Sequence, residues 1–268
     1  MSSHRPRKRF GQNFLRDQYV LDRIVAAADL QKDDRILEIG PGLGALTRRL
    51  LATGLPVLAV EIDRDLGAAL QTRDEQNLEV VIGDVLRLDW AELLANPPYK
   101  LIANLPYNIS SQILFKVLDH RKAFRRLVLM FQKEVGDRLL AEEGTRNYGI
   151  LSALIQPWFE ITRVVRVPPG AFHPPPKVDS VVLNLLPLSE PRLRLHDEFL
   201  YRKLVRGAFA QRRKTLRNSL LGSGWAAEQI DPAFTEAGID PGRRGETLKI
   251  EEFGTLANIL SSYFSGDQ

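Results

Sequence analysis

Cysteine is absent from this 268-residue chain. That excludes disulfides, thiolate zinc sites, iron–sulfur clusters and every mechanism with a cysteine nucleophile, carbon-5 methylation of pyrimidines among them. Histidine is scarce too: His4, His120, His173 and His196 are scattered without the i, i+4 spacing of a helical metal site, so no metal is expected. No run approaches the roughly 18 apolar residues of a membrane span, and the amino end lacks the apolar stretch of a secretory signal. The expected setting is the cytoplasm, without a membrane, and the chemistry must be noncovalent or borrowed from a cofactor.

Acidic residues are missing from two particular stretches. Residues 1–16 carry Arg5, Arg7, Lys8, Arg9 and Arg16 with no acid, and residues 202–227 carry seven Lys or Arg with none. The formal net charge of +4 says little by itself. Its concentration into blocks suits a polyanionic partner.

With 44% apolar residues the chain has ample material for a packed interior. From Arg35 to about Phe131, short Ile/Leu/Val runs alternate with helical stretches, the pattern of a parallel sheet with crossover helices. Strands are expected at Arg35 to Ile39, Pro56 to Val60, Leu78 to Ile82, Lys100 to Ala103 and Arg126 to Phe131. Two more, read as antiparallel, lie at Ile161 to Val167 and Ser180 to Leu186, around a proline-rich loop too long for a tight hairpin. After residue 187 the strand signals stop. The expected division is therefore 1–187, an α/β domain with a mostly parallel seven-stranded sheet, and 188–268, a smaller α-helical domain.

The first of these strands leads into Glu38-Ile39-Gly40-Pro41-Gly42-Leu43-Gly44. Glycines there let the backbone turn sharply and approach a ligand at the carboxyl edge of the sheet. Glu61, about 20 residues further on, falls where an acid accepts hydrogen bonds from ribose hydroxyls, and Asp84 ends the next strand. A nicotinamide dehydrogenase is a competing reading of such a turn. The spacing Gly-x-Gly-x-Gly, without a third glycine at the helix-packing position, speaks instead for a nucleoside ligand with no pyrophosphate, such as S-adenosyl-L-methionine.

The fourth strand is flanked by Asn96-Pro97-Pro98-Tyr99 and Asn104-Leu105-Pro106-Tyr107. An amide or acid followed by proline and an aromatic is what an amino-methyltransferase uses to hold a target amine. Ligands of open α/β sheets bind beyond the carboxyl ends of the strands, which selects Asn104; the prolines of the first quartet read as a helix stop. An adenine amine is a poor nucleophile because its lone pair is delocalised into the ring. The Asn104 side-chain oxygen and the Leu105 carbonyl can accept its two N–H bonds and favour a pyramidal nitrogen. A base must leave its stack to reach such a pocket. Tyr107 is expected to supply one stacking face and Phe172 the other, with stacking worth roughly 1 to 3 kcal/mol per base; the competing role for Phe172 is a loop anchor packed on the sheet.

The motifs Lys8-Arg9-Phe10-Gly11-Gln12-Asn13-Phe14-Leu15, Glu38 to Gly44, Asn104-Leu105-Pro106-Tyr107-Asn108-Ile109-Ser110, Gln132-Lys133-Glu134-Val135 and Phe172-His173-Pro174-Pro175-Pro176-Lys177-Val178-Asp179-Ser180 occur in this order. Together they resemble the small-subunit ribosomal RNA adenine dimethyltransferases, the KsgA (RsmA) family. The resemblance implies a class I, Rossmann-like methyltransferase fold and dimethylation of two adjacent adenines in the hairpin near the 3′ end of small-subunit ribosomal RNA. It implies cofactor contacts at Asn13, Leu15, Gly40, Glu61, Asp84 and Asn104, and a role in small-subunit biogenesis. The alternatives are an enzyme of the large-subunit resistance type, and an assembly factor whose docking on the ribosome matters more than methylation.

If residues 200–220 form one helix, Arg202, Arg206, Arg213 and Arg217 fall within about 60° of one another at 100° per residue. Four arginines without neighbouring acids would repel one another unless an anion lay nearby, so RNA phosphates are expected there.

Overall fold

The computed structural model describes residues 12–73 and 75–265. Its elements are β1 (Phe14–Leu15), α1 (Gln18–Ala28), β2 (Arg35–Ile39), α2 (Ala45–Leu51), β3 (Val57–Glu61), α3 (Arg64–Gln71), β4 (Leu78–Ile82), α4 (Trp90–Leu93), β5 (Tyr99–Asn104), α5 (Ser110–Asp119), β6 (Phe124–Gln132), α6 (Lys133–Leu139), α7 (Ile150–Ile155), β7 (Phe159–Val167), β8 (Phe172–His173), β9 (Ser180–Pro187), α8 (Glu198–Ala208), α9 (Leu216–Leu221), α10 (Ala227–Ala237) and α11 (Ile250–Ser265).

Seven strands form one sheet in the order β4-β3-β2-β5-β6-β9-β7. The five from β4 to β6 are parallel, and β9 runs antiparallel to β6. The parallel strands are apolar on both faces because helices cover both: Ile36, Leu37, Leu101, Ile102, Leu127 and Leu129 are fully enclosed. Burying each such side chain stabilises the fold by about 1.5 to 3 kcal/mol.

Local chemistry sets the helix ends. Asp17 caps α1 by accepting the Val20 amide at 3.0 Å, and Val20, Leu21, Ile24 and Ala28 turn one face of the helix into the core. Asp197 caps α8 in the same way through Leu200 at 3.0 Å. A second, two-stranded ladder pairs β1 with β8, Leu15 opposite Phe172. It ties the segment before α1 to the proline-rich loop.

The chain divides into two compact units, the first comprising residues up to Gly136 together with Glu160–Pro187, the second Asp137–Phe159 together with residues from Leu188 onward. The single cut at 187/188 is thus corrected to three. Residues 137–159 leave the sheet after β6 and join the helices: Tyr201 of α8 donates its hydroxyl to the Ala153 carbonyl of α7 at 2.8 Å, and the Gly144 amide donates to the Glu246 carbonyl at 2.7 Å.

Candidate active site

A cleft opens in the first unit at the carboxyl ends of β2, β3, β4 and β5, with Asn13, Phe14 and Leu15 along its side. The turn after β2 requires glycine: Gly40, Gly42 and Gly44 have φ of +70°, +58° and +74°. At Gly42 a Cβ would also sit 3.0 Å from the Phe14 ring. The turn is therefore flattened against β1 and leaves its backbone open to the cleft.

Glu61 ends β3 and is buried. Its Oε2 accepts the Gly42 amide at 3.0 Å and its Oε1 accepts the Asp63 amide at 2.9 Å. Burial pushes its carboxyl above the usual range, and these backbone donors oppose the shift. Asp63 caps α3 through the Asp65 amide and receives Gln12 Nε2 at 3.1 Å. Asp84, after β4, is partly exposed at the cleft, with Oδ1 accepting the Leu86 amide at 3.0 Å.

One acid in this wall, the first residue of the glycine-turn motif, was assigned no role of its own from the sequence. Glu38 lies among the apolar residues of β2, is 1% exposed and lines the cleft, and its Oε2 has no hydrogen-bond partner among the described residues. Burial pushes its carboxyl up to about 8, partly offset by the nearby Thr47 hydroxyl and reinforced by Glu61. An acid inside an otherwise apolar strand run was the available signal.

Asn104 closes β5 on the carboxyl edge, opposite Met130 of β6. Its Nδ2 donates to the Asn13 carbonyl at 3.2 Å, so the side-chain oxygen is presented as an acceptor. Leu105 is buried beside it, and the ring of Pro106 lies about a van der Waals contact, 3.6 Å, from where a Gly40 side chain would start. Tyr107 also lines the cleft, its phenol oxygen hydrogen-bonded to the Ser180 hydroxyl at 2.6 Å. Thus Asn13, Leu15, Gly40, Glu61, Asp84, Asn104, Leu105 and Tyr107 all line one cleft. By contrast, Tyr99 pairs with Arg35 at the start of β2, which puts Asn96-Pro97-Pro98 at the opposite edge. There Lys100 pairs with Asp34 at 2.7 Å inside the fold.

Three expectations change. Phe172 is 4% exposed and belongs to the core cluster with Leu15, Val20 and Ile24, not to the cleft wall. Pairing with Leu15 across the β1–β8 ladder buries its ring, so it acts as the loop anchor and not as a second stacking face. The basic stripe is not one helix: α8 ends at Ala208, α9 starts at Leu216, and Arg213 lies in the turn between them. Nor is it free of acids, since Arg202 pairs with Glu198 at 2.6 Å and Arg217 holds Asp231 through two bonds at 2.6 and 2.8 Å. Arg206 and Arg213 are exposed. Of the basic amino-terminal arm, Arg5, Arg7, Lys8 and Arg9 lie outside the described residues.

Sheet order, glycine turn, strand-end acids and Asn-Leu-Pro-Tyr corner define a protein of the class I, Rossmann-like methyltransferase fold with one cleft at the carboxyl edge of its sheet. The family model for ribosomal RNA adenine dimethylases matches residues 3–262. The chain belongs to that family. It is 63% identical to the ribosomal RNA small subunit methyltransferase A of Syntrophotalea carbinolica, over 98% of this chain and 99% of the relative. It is 51% identical to the protein of that name from Geobacter metallireducens, over 96% of each. Among solved structures, a dimethyladenosine transferase from Plasmodium falciparum is 30% identical with a TM-score of 0.74, covering 94% of this chain and 98% of that one. The 23S rRNA methyltransferase ErmE is 29% identical with a TM-score of 0.66, covering 93% and 100%.

Among the described residues no helix is long and apolar enough to cross a membrane, and no group of three or more His, Asp and Glu is placed to hold a metal.

Proposed function

We propose that this enzyme dimethylates the N6 amines of two adjacent adenines in the 3′-terminal hairpin of small-subunit ribosomal RNA, with S-adenosyl-L-methionine as donor. The observation that carries the reading is Asn104: its amide nitrogen is engaged by the Asn13 carbonyl, its oxygen is left to accept, and it shares a cleft with Glu61 and Asp84.

The residues fit the donor. Glu61 at the ribose hydroxyls and Asp84 at the adenine suit a nucleoside, and the turn of Gly40 and Gly42 brings bare backbone to the cleft wall. Asn13, Leu15 and Asn104 complete the contacts. When bound, the donor supplies a methyl group made electrophilic by its sulfonium.

The chain's own residues prepare the acceptor. Asn104 Oδ1 and the Leu105 carbonyl accept the two N–H bonds of the target amine and draw its lone pair out of conjugation. Tyr107 gives the flipped base an aromatic face. The small-subunit RNA is selected by phosphate contacts of the exposed Arg206 and Arg213 and by the basic arm, which distinguish RNA shape while the cleft distinguishes the base. Relatives at 63% and 51% identity named for the small subunit favour that substrate over the large-subunit one of ErmE. The partner is then an immature small subunit and the setting the cytoplasm.

The test is incubation of unmethylated small subunits with labelled donor, followed by nucleoside analysis. Dimethyladenosine is expected from the wild type and none from Asn104→Ala. No N6-modified adenine from the wild type, or an undiminished yield from Asn104→Ala, overturns the reading.

A further inference from the structure

The loop Phe172 to Ser180 carries a motif whose aromatic is spent on the core, yet the far end of the same motif is bonded to a residue of the cleft. Ser180 is fully buried at the start of β9, opposite Gln132 at the end of β6. The residue before it is pinned as well, the Asp179 carbonyl accepting the Lys133 amide at 2.8 Å. Tyr107 stands three residues beyond β5, and β5 and β9 are separated in the sheet by β6. Its phenol spans that strand end to reach the Ser180 hydroxyl at 2.6 Å.

A tyrosine that stacks on a base must keep its ring plane fixed while one face stays open. The backbone of Tyr107 belongs to a turn, closed by the Ile109 amide on the Pro106 carbonyl at 3.2 Å, and a turn alone leaves the ring free to rotate about its two side-chain torsions. A hydrogen bond from the ring's far end to an immobile hydroxyl removes that freedom.

We propose that Ser180 is a positioning residue for methyl transfer: its hydroxyl holds the Tyr107 ring, through the phenol oxygen, in the plane on which the flipped adenine stacks. This rests on the function proposed above. Phe172 and Ser180 then divide the labour of one motif, the first anchoring the loop to the core and the second delivering a fixed point to the cleft.

The experiment is a double-mutant cycle on kcat, measured on unmethylated small subunits with saturating donor, using Ser180→Ala, Tyr107→Phe and both together. Each single substitution removes the same hydrogen bond and keeps the ring. Each is expected to lower kcat roughly two- to tenfold, with the double variant no slower than the worse single one. Affinity for S-adenosylhomocysteine, measured by calorimetry, stays within about twofold in all three, as expected where Ser180 is absent from the cleft wall.

Multiplicative losses, or a kcat unchanged in Tyr107→Phe, overturn the proposal. If Ser180→Ala proves too unstable to assay, Tyr107→Phe decides alone, because it leaves Ser180 in place. A wild type that yields no dimethyladenosine is a failure of the enzymatic reading; multiplicative losses in an active wild type sink only the role of Ser180.

Discussion

Glu61 and Gly42 are joined by a hydrogen bond of 3.0 Å, from the amide of the glycine turn after β2 to a carboxylate at the end of the next strand, 19 residues on in sequence but adjacent in the sheet. The same carboxyl thus shapes the turn and lines the cleft. Replacing Glu61 by Ala removes both effects, and each hydrogen bond to a charged group contributes about 1.5 to 3 kcal/mol. Affinity for S-adenosylhomocysteine is expected to fall at least tenfold, read by calorimetry, with methyl transfer falling alongside. Normal maturation of small subunits in cells carrying this variant would favour docking over methylation as the main task.

Gly42→Ala tests the turn from the other side. Its φ of +58° and the 3.0 Å approach of Phe14 penalise any side chain. A loss of about 1 to 2 kcal/mol in urea unfolding is expected from the backbone alone. Donor affinity should drop as well, because the Phe14 ring must move out of the cleft wall.

The buried Glu38 carboxyl makes stability depend on pH. Its folded-state value near 8 lies above the 4.5 of an unfolded glutamate, so between these values the folded chain binds the extra proton. Stability therefore falls as pH rises from about 4.5 towards 8 and levels off above. Burial shifts Glu61 in the same direction, which adds to the slope. In Glu38→Gln, urea unfolding across pH 5 to 8.5 should show a shallower slope and higher stability than wild type at pH 8. An unaltered slope would mean that Glu38 is ionised throughout.

For RNA binding, the positions to remove are Arg206 and Arg213. Binding to small subunits is expected to weaken steeply with salt through counterion release. Each substitution to Ala should reduce the slope of log K against log salt by about one, uniformly across RNA sequences. Arg217→Ala should act differently, by freeing Asp231 from its two hydrogen bonds and loosening the link between α9 and α10. Equal effects of Arg213→Ala and Arg217→Ala on the slope would refute this division.

Strand positions were legible because each strand is a short apolar run, and Arg35–Ile39 and Leu78–Ile82 coincide with their expected bounds. The cleft residues Gly40, Glu61, Asp84 and Asn104 were legible for a related reason: each stands at the end of a parallel strand or within two residues of it, and all parallel strands end on the same edge. Spacing along the chain is then enough to bring them together. Asn13 and Leu15 were reached only by family resemblance, since they arrive through the β1–β8 ladder, which no local pattern announces.

What the amino-acid order determined by itself was the alternation of strand and helix, the glycine turn and the acids and amide at the strand ends, all of them properties of neighbours in sequence. Tertiary structure alone decided that Phe172 is buried while Ser180 meets Tyr107, that Glu38 keeps an oxygen without a partner among the described residues, and that Arg202 and Arg217 find acids absent from their own basic stretch. Burial and ion pairing depend on which distant residues arrive to remove water or supply charge, and that depends on the assembled sheet and helices.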